Sequence, residues 1–327
     1  MAGQSTPIGS NVVTSIARRY IMPTIVDNVY NSNPIFFRIN KSKRFIKGGT
    51  QIEVPLMYSR FSNGGSYEGL DVLSVTPSDT VKNGAWDWRQ YYVSVAVDGR
   101  TLIKVDSPES IANFIKLQFA QAEMEMATNL GAAIWGDNNS GAGKDIDGIP
   151  LAVDNSNTVY GGINPTTNSW WKSQEDGSTS TFNLYNLNVF FSSVSEGGRH
   201  PSMLCSGQSL YNQYYKLAAD TQQVWQGPQA YDEQLYAGGF TNLLFNGIPW
   251  TTDPNVPAGT GTAGDQLFML NEDYIYWCVS PRGDMVMTDF QEGITQDAMV
   301  SKLLFAGNLI VTNRARQGKM TALNNAA

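Results

Sequence analysis

The stretch RFSNGGSYEGLDVLSVTPSDTVKNG, residues 60–84, is what most constrains this chain. It is rich in turn formers and holds little that can make a core. Before it, after Gly48-Gly49, Ile52, Val54, Leu56 and Tyr58 alternate with Gln51, Glu53 and Pro55, the period of a half-buried strand. After it, Ala85 to Val97 reads as a second strand, with Tyr91, Val93, Val95 and Val97 on one face and a turn at Asp98-Gly99. Pro55 cannot donate to a ladder, so the first strand is an edge or carries a bulge. An irregular connection this long is unusual inside a compact domain, and a two-stranded arm alone is marginal in water. The arm therefore needs cover from outside the subunit, and assembly is the first inference.

The strongest helix pattern follows. Ser107 suits the N-cap, Pro108 the first helical position and Glu109 the positive end of the dipole. Ile111, Phe114, Ile115, Phe119, Ala122, Met126, Leu130 and Ile134 keep the helical period until Gly136, which predicts a rod of roughly 40 Å. Beyond it the chain is loop-rich to Thr181. A helix is expected from Phe182 to Gly197-Gly198, capped by Ser180 or Thr181, then a short buried strand at Met203–Cys205 and a helix over Ser209–Ala219. After Phe245–Trp250 and the break PNVPAGTGTAGD, β-like runs are expected at Leu267–Leu270, Tyr274–Val279, Met285–Phe290 and Leu303–Val311. The class is α+β, without internal repeats.

Composition narrows the function. Charged residues make up only 16 % of the 327 and aromatics 11 %, with eight Trp; soluble domains carry about 25 % charged residues. A surface that avoids charge and uses aromatics suits an interface, the plain alternative being a β-rich domain with a neutral polar surface. Net charge is −7, unevenly spread: residues 1–50 hold seven cations against Asp27, so the remaining chain carries −13. That pattern reads as a basic arm on an acidic body, although a solvated basic stretch pairing with its own body fits the charge equally well. The start shows no signal-peptide pattern and no apolar run approaches a membrane span, so a soluble protein of a reducing cytoplasm is expected.

Catalytic motifs fail on inspection. Gly141-Ala142-Gly143-Lys144 has Asn138 where a phosphate loop needs glycine and Asp145 where it needs Ser or Thr. The acidic run Asp137–Asp147 has Ala142 and Gly148 where a calcium loop wants Gly and Glu. His200, the only histidine, and Cys205 lie five residues apart, with Cys205 in an apolar run. Two cysteines and one histidine cannot complete a four-ligand zinc site. Glu123 and Glu125 are two apart on the helix and cannot face one site. No enzyme activity, cofactor or metal is expected.

The order of parts resembles the tailed-bacteriophage major capsid protein family, whose fold is shared with encapsulin shells. The resemblance spans nearly the whole chain after the first ~30 residues. It rests on the basic arm, the long hairpin Gly48–Gly99, the helix Ser107–Trp135 and the turn Ile146-Asp147-Gly148-Ile149. Gly161-Gly162-Ile163 with Trp170-Trp171, the stretch FNGIPWTTDPNVP and the ending LFAGNLIVTNRARQGKM complete it. The resemblance implies an N-terminal arm (1–47), an extended loop (48–100), a peripheral domain with a spine helix (101–145), an axial domain (146–265) and a return to the peripheral sheet (266–327).

It also implies a function: self-assembly into hexamers and pentamers of an icosahedral head around double-stranded DNA. Implied partners are a separate scaffolding protein, a portal protein, a decoration protein in some members, and the DNA itself, bound without sequence preference; no membrane is involved. The place would be the virion, assembled in the bacterial host cytoplasm. Arg18, Arg19, Lys41, Lys43, Arg44 and Lys47 would face DNA or scaffold. Tyr67, Glu68, Lys82, Trp86 and Trp88 would make intersubunit contacts. Ile111, Phe114, Ile115, Phe119 and Leu130 would form the spine-helix core. Some members cross-link a loop lysine to a neighbour's asparagine; Lys82 is the lysine of this loop, and its partner is not legible. The alternatives are an encapsulin-like compartment shell, or a monomeric β-rich glycan-binding protein or glycosidase.

Overall fold

The structure, a computed structural model, describes residues 33–61, 63–73, 75–100, 108–138, 143–156, 158–177, 182–220, 243–257, 263–292 and 297–324. In chain order they form α1 (Pro34–Lys41), β1 (Lys43–Phe45), β2 (Gln51–Met57), β3 (Val81–Asp87), β4 (Arg89–Asp98), α2 (Pro108–Ile134) and α3 (Ile149–Ala152). Then come β5 (Gln174–Asp176), α4 (Leu184–Val194), β6 (Met203–Ser206), α5 (Gln208–Asp220), β7 (Leu243–Phe245), β8 (Ile248–Thr252) and β9 (Ala263–Leu270). The chain closes with β10 (Ile275–Val279), β11 (Val286–Met287), β12 (Gln291–Glu292), β13 (Ala298–Val311) and β14 (Gly318–Asn324).

Strand β13, the longest, organises a first six-stranded sheet. Its N-terminal part pairs antiparallel with β4, bringing Val93 opposite Leu303 and Val97 opposite Met299. Its C-terminal part pairs with β10, which carries β1 in parallel on its far edge. A second sheet has the order β5-β14-β9-β6-β8-β7. Its β7–β8 hairpin turns at Asn246-Gly247, both with positive φ, the two-residue turn that matches strand twist. α4 and α5 supply Leu187, Phe191, Leu210 and Tyr214 to a cluster with Leu204, Trp250 and Leu267 from this sheet. The largest core crosses between the sheets, joining Phe268, Leu270 and Met203 of the second to Trp277, Phe305 and Leu309 of the first.

The predicted long helix is realised as the 27 residues of α2. It bridges two cores. Ile115, Phe119 and Ala122 meet Val95, Val97, Met287 and Phe290, with the Phe119 and Phe290 rings edge to face at 5.8 Å. Further along, Met126, Leu130 and Ile134 enter the large core. Phe114, expected to be buried, is only half-buried at the edge of the smaller cluster. The Ile111 side chain lies outside the described residues. Among the described residues no helix is long and apolar enough to cross a membrane.

Several boundaries differ from the expectation, each for a local reason. Part of the expected arm belongs to the body, because Ile35, Phe36 and Ile39 of α1 are buried in the large core. The second strand of the arm is two strands that meet at Trp88: β3 pairs with β2, whereas β4 belongs to the first sheet. The extended loop therefore ends near Asp87. The terminal strand pair is split, β13 in one sheet and β14 in the other. Between them the buried Arg314 donates to the carbonyls of Ala152 and Asp154, both at 2.6 Å, and redirects the chain. Asn183 caps α4 through the Asn186 amide, and α4 stops at Val194, before the glycines. The expected strand Met285–Phe290 shrinks to β11, since Met285 takes a positive φ.

Two predictions follow from α2. Phe119 is 2 % exposed, so Phe119→Ala is expected to cost about 3–5 kcal/mol in denaturant unfolding of the unassembled subunit, with Phe114→Ala costing clearly less. Glu123 sits on the buried side, and burial raises its carboxyl from 4.5 to about 7. The native state then holds a proton the unfolded chain has lost, so stability falls as pH rises from 4.5 to 7. Glu123→Gln should raise the melting temperature at pH 8 and change it least at pH 4.

Candidate intersubunit surface

The extended loop has an ordered root and an uncovered tip. At the root, β2 and β3 pair in register from Gln51–Asp87 to Met57–Val81, and Ile52 and Leu56 turn into the large core. Trp86, expected to be an intersubunit contact, is buried in its own subunit, its ring edge to face with Tyr160 at 5.8 Å. The indole fits because two neighbours lack side chains. A Cβ on Gly84 would lie 2.6 Å from the Trp86 ring, and one on Gly161, whose φ is +60°, would lie 2.7 Å from it. The Ala85 amide donates to the Gly161 carbonyl at 3.0 Å. Tyr58 stacks on Trp170 at 5.1 Å, and Lys82 donates to Asn168 Oδ1 at 3.2 Å within the same subunit. Trp88 is half-buried and donates its indole N–H to the Gly49 carbonyl.

Beyond the root nothing among the described residues covers the chain. Tyr67 and Glu68 are exposed as expected, and the Glu68 amide donates to Asp71 Oδ2 in a local turn. More informative is the tip's apolar run, with Leu70 101 %, Val72 98 % and Val75 90 % exposed. In the sequence these residues are masked by the turn formers among which they stand.

The root is locked to the body by one polar junction. Asn308, buried in β13, donates to Asp147 Oδ2 and to the Asp87 carbonyl, both at 2.9 Å. Its Oδ1 accepts the Asp147 amide at 3.0 Å. Asn138, just past α2, donates to Asp147 Oδ1 at 2.7 Å, and the Arg89 guanidinium lies 3.6 Å from the same oxygen. Burial pushes the Asp147 carboxyl above its usual range, while bonds to Asn308 and the charge of Arg89 oppose that shift. The turn Ile146–Ile149 was legible in sequence. Its partner was visible only as a polar residue within an apolar strand.

The basic residues do not form one group. Lys43 is half-buried and ion-paired with Asp284 in its own subunit. Arg44 lies flat over Tyr276 at 3.5 Å, and Lys41 over Phe37 at 5.1 Å. Lys41, Arg44 and Lys47 are exposed. Arg18 and Arg19 lie outside the described residues. Cys205 is buried and its thiol is pushed well above the usual range, whereas His200 stacks on Phe191 at 5.5 Å. They do not form a nucleophile and base. Among the described residues no cluster of metal-ligating side chains occurs.

The fold is that of shell-forming capsid subunits. It superposes on the cyanophage A-1(L) capsid asymmetric unit with a TM-score of 0.67 at 12 % identity, covering 91 % of this chain and 94 % of that one. For the holo-SrpI encapsulin complex of Synechococcus elongatus PCC 7942 the TM-score is 0.62 at 10 % identity, covering 100 % and 94 %. The capsid of a native GTA particle gives 0.58 at 12 % identity, covering 88 % and 90 %. No family model and no curated protein matches the sequence. The likeness is one of architecture, carried without sequence similarity.

Asn308→Ala would leave Asp147 Oδ2, the Asp147 amide and the Asp87 carbonyl without their partner. A loss of about 3 kcal/mol is expected in urea unfolding, with faster hydrogen exchange at the Ala85 amide, which the root bonds to Gly161.

Proposed function

We propose that this chain is the structural subunit of a virion shell, assembling as hexamers and pentamers into an icosahedral head around double-stranded DNA. The observation that carries the reading is the rooted loop whose apolar tip finds no cover among the described residues of its own subunit. Water exposure of several aliphatic side chains at the end of a fixed arm is unfavourable unless a neighbour receives them. A rigid root spares the tip much of the ordering cost on docking. Contacts that are modest singly become strong when each subunit is held by several neighbours, and closed symmetry limits the particle to a finite size. The architectural likeness to phage and GTA capsids supports the same reading.

In this reading the chain carries no catalysis. A separate scaffolding protein directs assembly in the bacterial host cytoplasm, a portal protein occupies one vertex, and decoration proteins bind outside in those heads that have them. DNA is held through non-specific, salt-dependent contacts with the basic segment, of which Lys41, Arg44 and Lys47 are exposed. A second reading, a protein compartment that encloses protein cargo, is favoured by the full-length superposition on the encapsulin subunit. The contents of the particle separate the two.

Electron microscopy of the purified full-length protein is expected to show closed shells, and particles from infected cells should hold nuclease-protected double-stranded DNA. Protein cargo without DNA would select the compartment reading. Deleting Ser62–Asp79 should leave a soluble subunit with a near-native melting temperature that forms no closed shells, because the deleted segment lies beyond the ordered root. Normal shells from the deletion variant would show that the loop is not an intersubunit arm.

A further inference from the structure

We propose that Asn63, at the foot of the loop tip, is a site of spontaneous covalent modification: it loses its side-chain nitrogen as ammonia to become aspartate or isoaspartate, and the change weakens the arm. The chain holds the dipeptide Asn-Gly at three places, Asn63-Gly64, Asn83-Gly84 and Asn246-Gly247. Glycine after asparagine favours this chemistry, because no side chain hinders the glycine nitrogen as it approaches the asparagine Cγ. The step needs nothing but water. The Gly64 nitrogen bonds to Cγ and gives up its proton, the Cγ–Nδ2 bond breaks, and Nδ2 leaves as ammonia. A five-membered imide remains. Water then opens the ring at either carbonyl, giving aspartate if the original backbone link is kept and isoaspartate if the chain now runs through the side chain.

The fold separates the three sites. Ring closure needs a backbone turn at asparagine that brings the next nitrogen beneath its own Cγ, and neither strand nor left-handed backbone supplies it. Asn83 and Gly84 stand inside β3, in register with Pro55 and Val54 of β2. Gly84 is pressed against Trp86, where a Cβ would lie 2.6 Å from the ring, so this pair cannot turn without unseating the root of the arm. Asn246 and Gly247, with φ of 50° and 79°, close the β7–β8 hairpin, and Asn246 Nδ2 donates to Asn188 Oδ1 at 3.1 Å. Asn63-Gly64 lies in neither helix nor strand. Asn63, Gly64 and Gly65 are exposed, and a Cβ built on either glycine would meet nothing within 4 Å. Here the backbone reaches the closing geometry at little cost, whereas the other two sites must first open locally.

Conversion changes the tip. Asn63 Nδ2 donates to the Thr76 carbonyl, which ties the two limbs of the tip together. A carboxylate has no proton to donate, so the product sets two acceptors against each other at this point. It also adds an anion to the segment 60–79, which already holds Glu68, Asp71 and Asp79 against Arg60. The isoaspartyl product further lengthens the main chain by a methylene. The tip of an aged subunit is therefore looser and more negative than that of a fresh one. Under the shell reading, on which this last step rests, subunits left unassembled lose competence with time, and the dipeptide acts as a timer.

The test uses the full-length chain, kept unassembled at low concentration and mildly alkaline pH and sampled by peptide mass spectrometry with isoaspartyl methyltransferase labelling. In the native protein Asn63 should convert about tenfold or more faster than Asn83 and Asn246, and in denaturant the three rates should come within about threefold of one another. Gly64→Ala, whose methyl group has open space, should keep the melting temperature and slow conversion of Asn63 about tenfold. An Asn63 that stays intact, or equal rates at the three sites in the native protein, would overturn the proposal. So would a preference for Asn63 that persists in denaturant, since the fold would then not select it. Aged parent and fresh Asn63→Asp should each need about threefold more protein for shell formation than fresh parent, whereas aged Gly64→Ala should not. Aged parent that carries converted Asn63 and assembles like fresh protein overturns the weakening of the arm. If the parent stays monomeric at all concentrations the shell reading fails, and the mass spectra still decide the modification.

Discussion

The buried Asn308–Asp147 pair is the constraint on which the rest of the molecule turns. A carboxylate in a core costs heavily unless every lone pair finds a donor. Asp147 solves this by taking hydrogen bonds from the long strand and from just past the end of the long helix, with the Arg89 guanidinium at the start of β4 as a nearby counter-charge. The same asparagine holds the last carbonyl of the loop root. Three elements distant in sequence thus share one small set of hydrogen bonds, and none can shift alone. The apolar contacts of the core set how stable the subunit is. This polar junction fixes where the arm leaves it, because apolar contacts tolerate sliding and hydrogen-bond geometry does not.

Much of this was legible in the sequence, for reasons that separate local from distant physics. The alternation of Ile52, Val54 and Leu56 and the period of Ile115, Phe119, Met126 and Leu130 depend only on backbone geometry, and both survive in the structure. Asn246-Gly247 carries a hairpin signal as strong as any short motif offers, and the chain turns there between β7 and β8. Other features have no local signature. Trp86 is a core residue because Gly84 and Gly161 make room for it, and Gly161 lies 75 positions away. Splitting the terminal strands between two sheets depends on Arg314 finding carbonyls near Ala152. The small helix α1 reads as part of a basic arm if its charges are counted, and as core if Ile35, Phe36 and Ile39 are.

A division of labour follows within one chain. The large core spans both sheets and joins them in one hydrophobic cluster. The chain is sparing of charge, and several of its charges are paired within the subunit, as with Arg38 and Glu272 or Lys43 and Asp284.

The glycines around Trp86 bear on shape at a larger scale. Each strand of the arm extends for seven residues, or roughly 23 Å, and the two lie about 4.8 Å apart. Lifting one strand by about 1 Å at its seat rolls the pair about its own length by roughly 12° at that spacing. A methyl group at residue 84 or 161 would act at that seat. The two missing side chains thus work as a gauge. The angle at which the arm leaves the body is set by how closely an indole ring can lie against bare backbone.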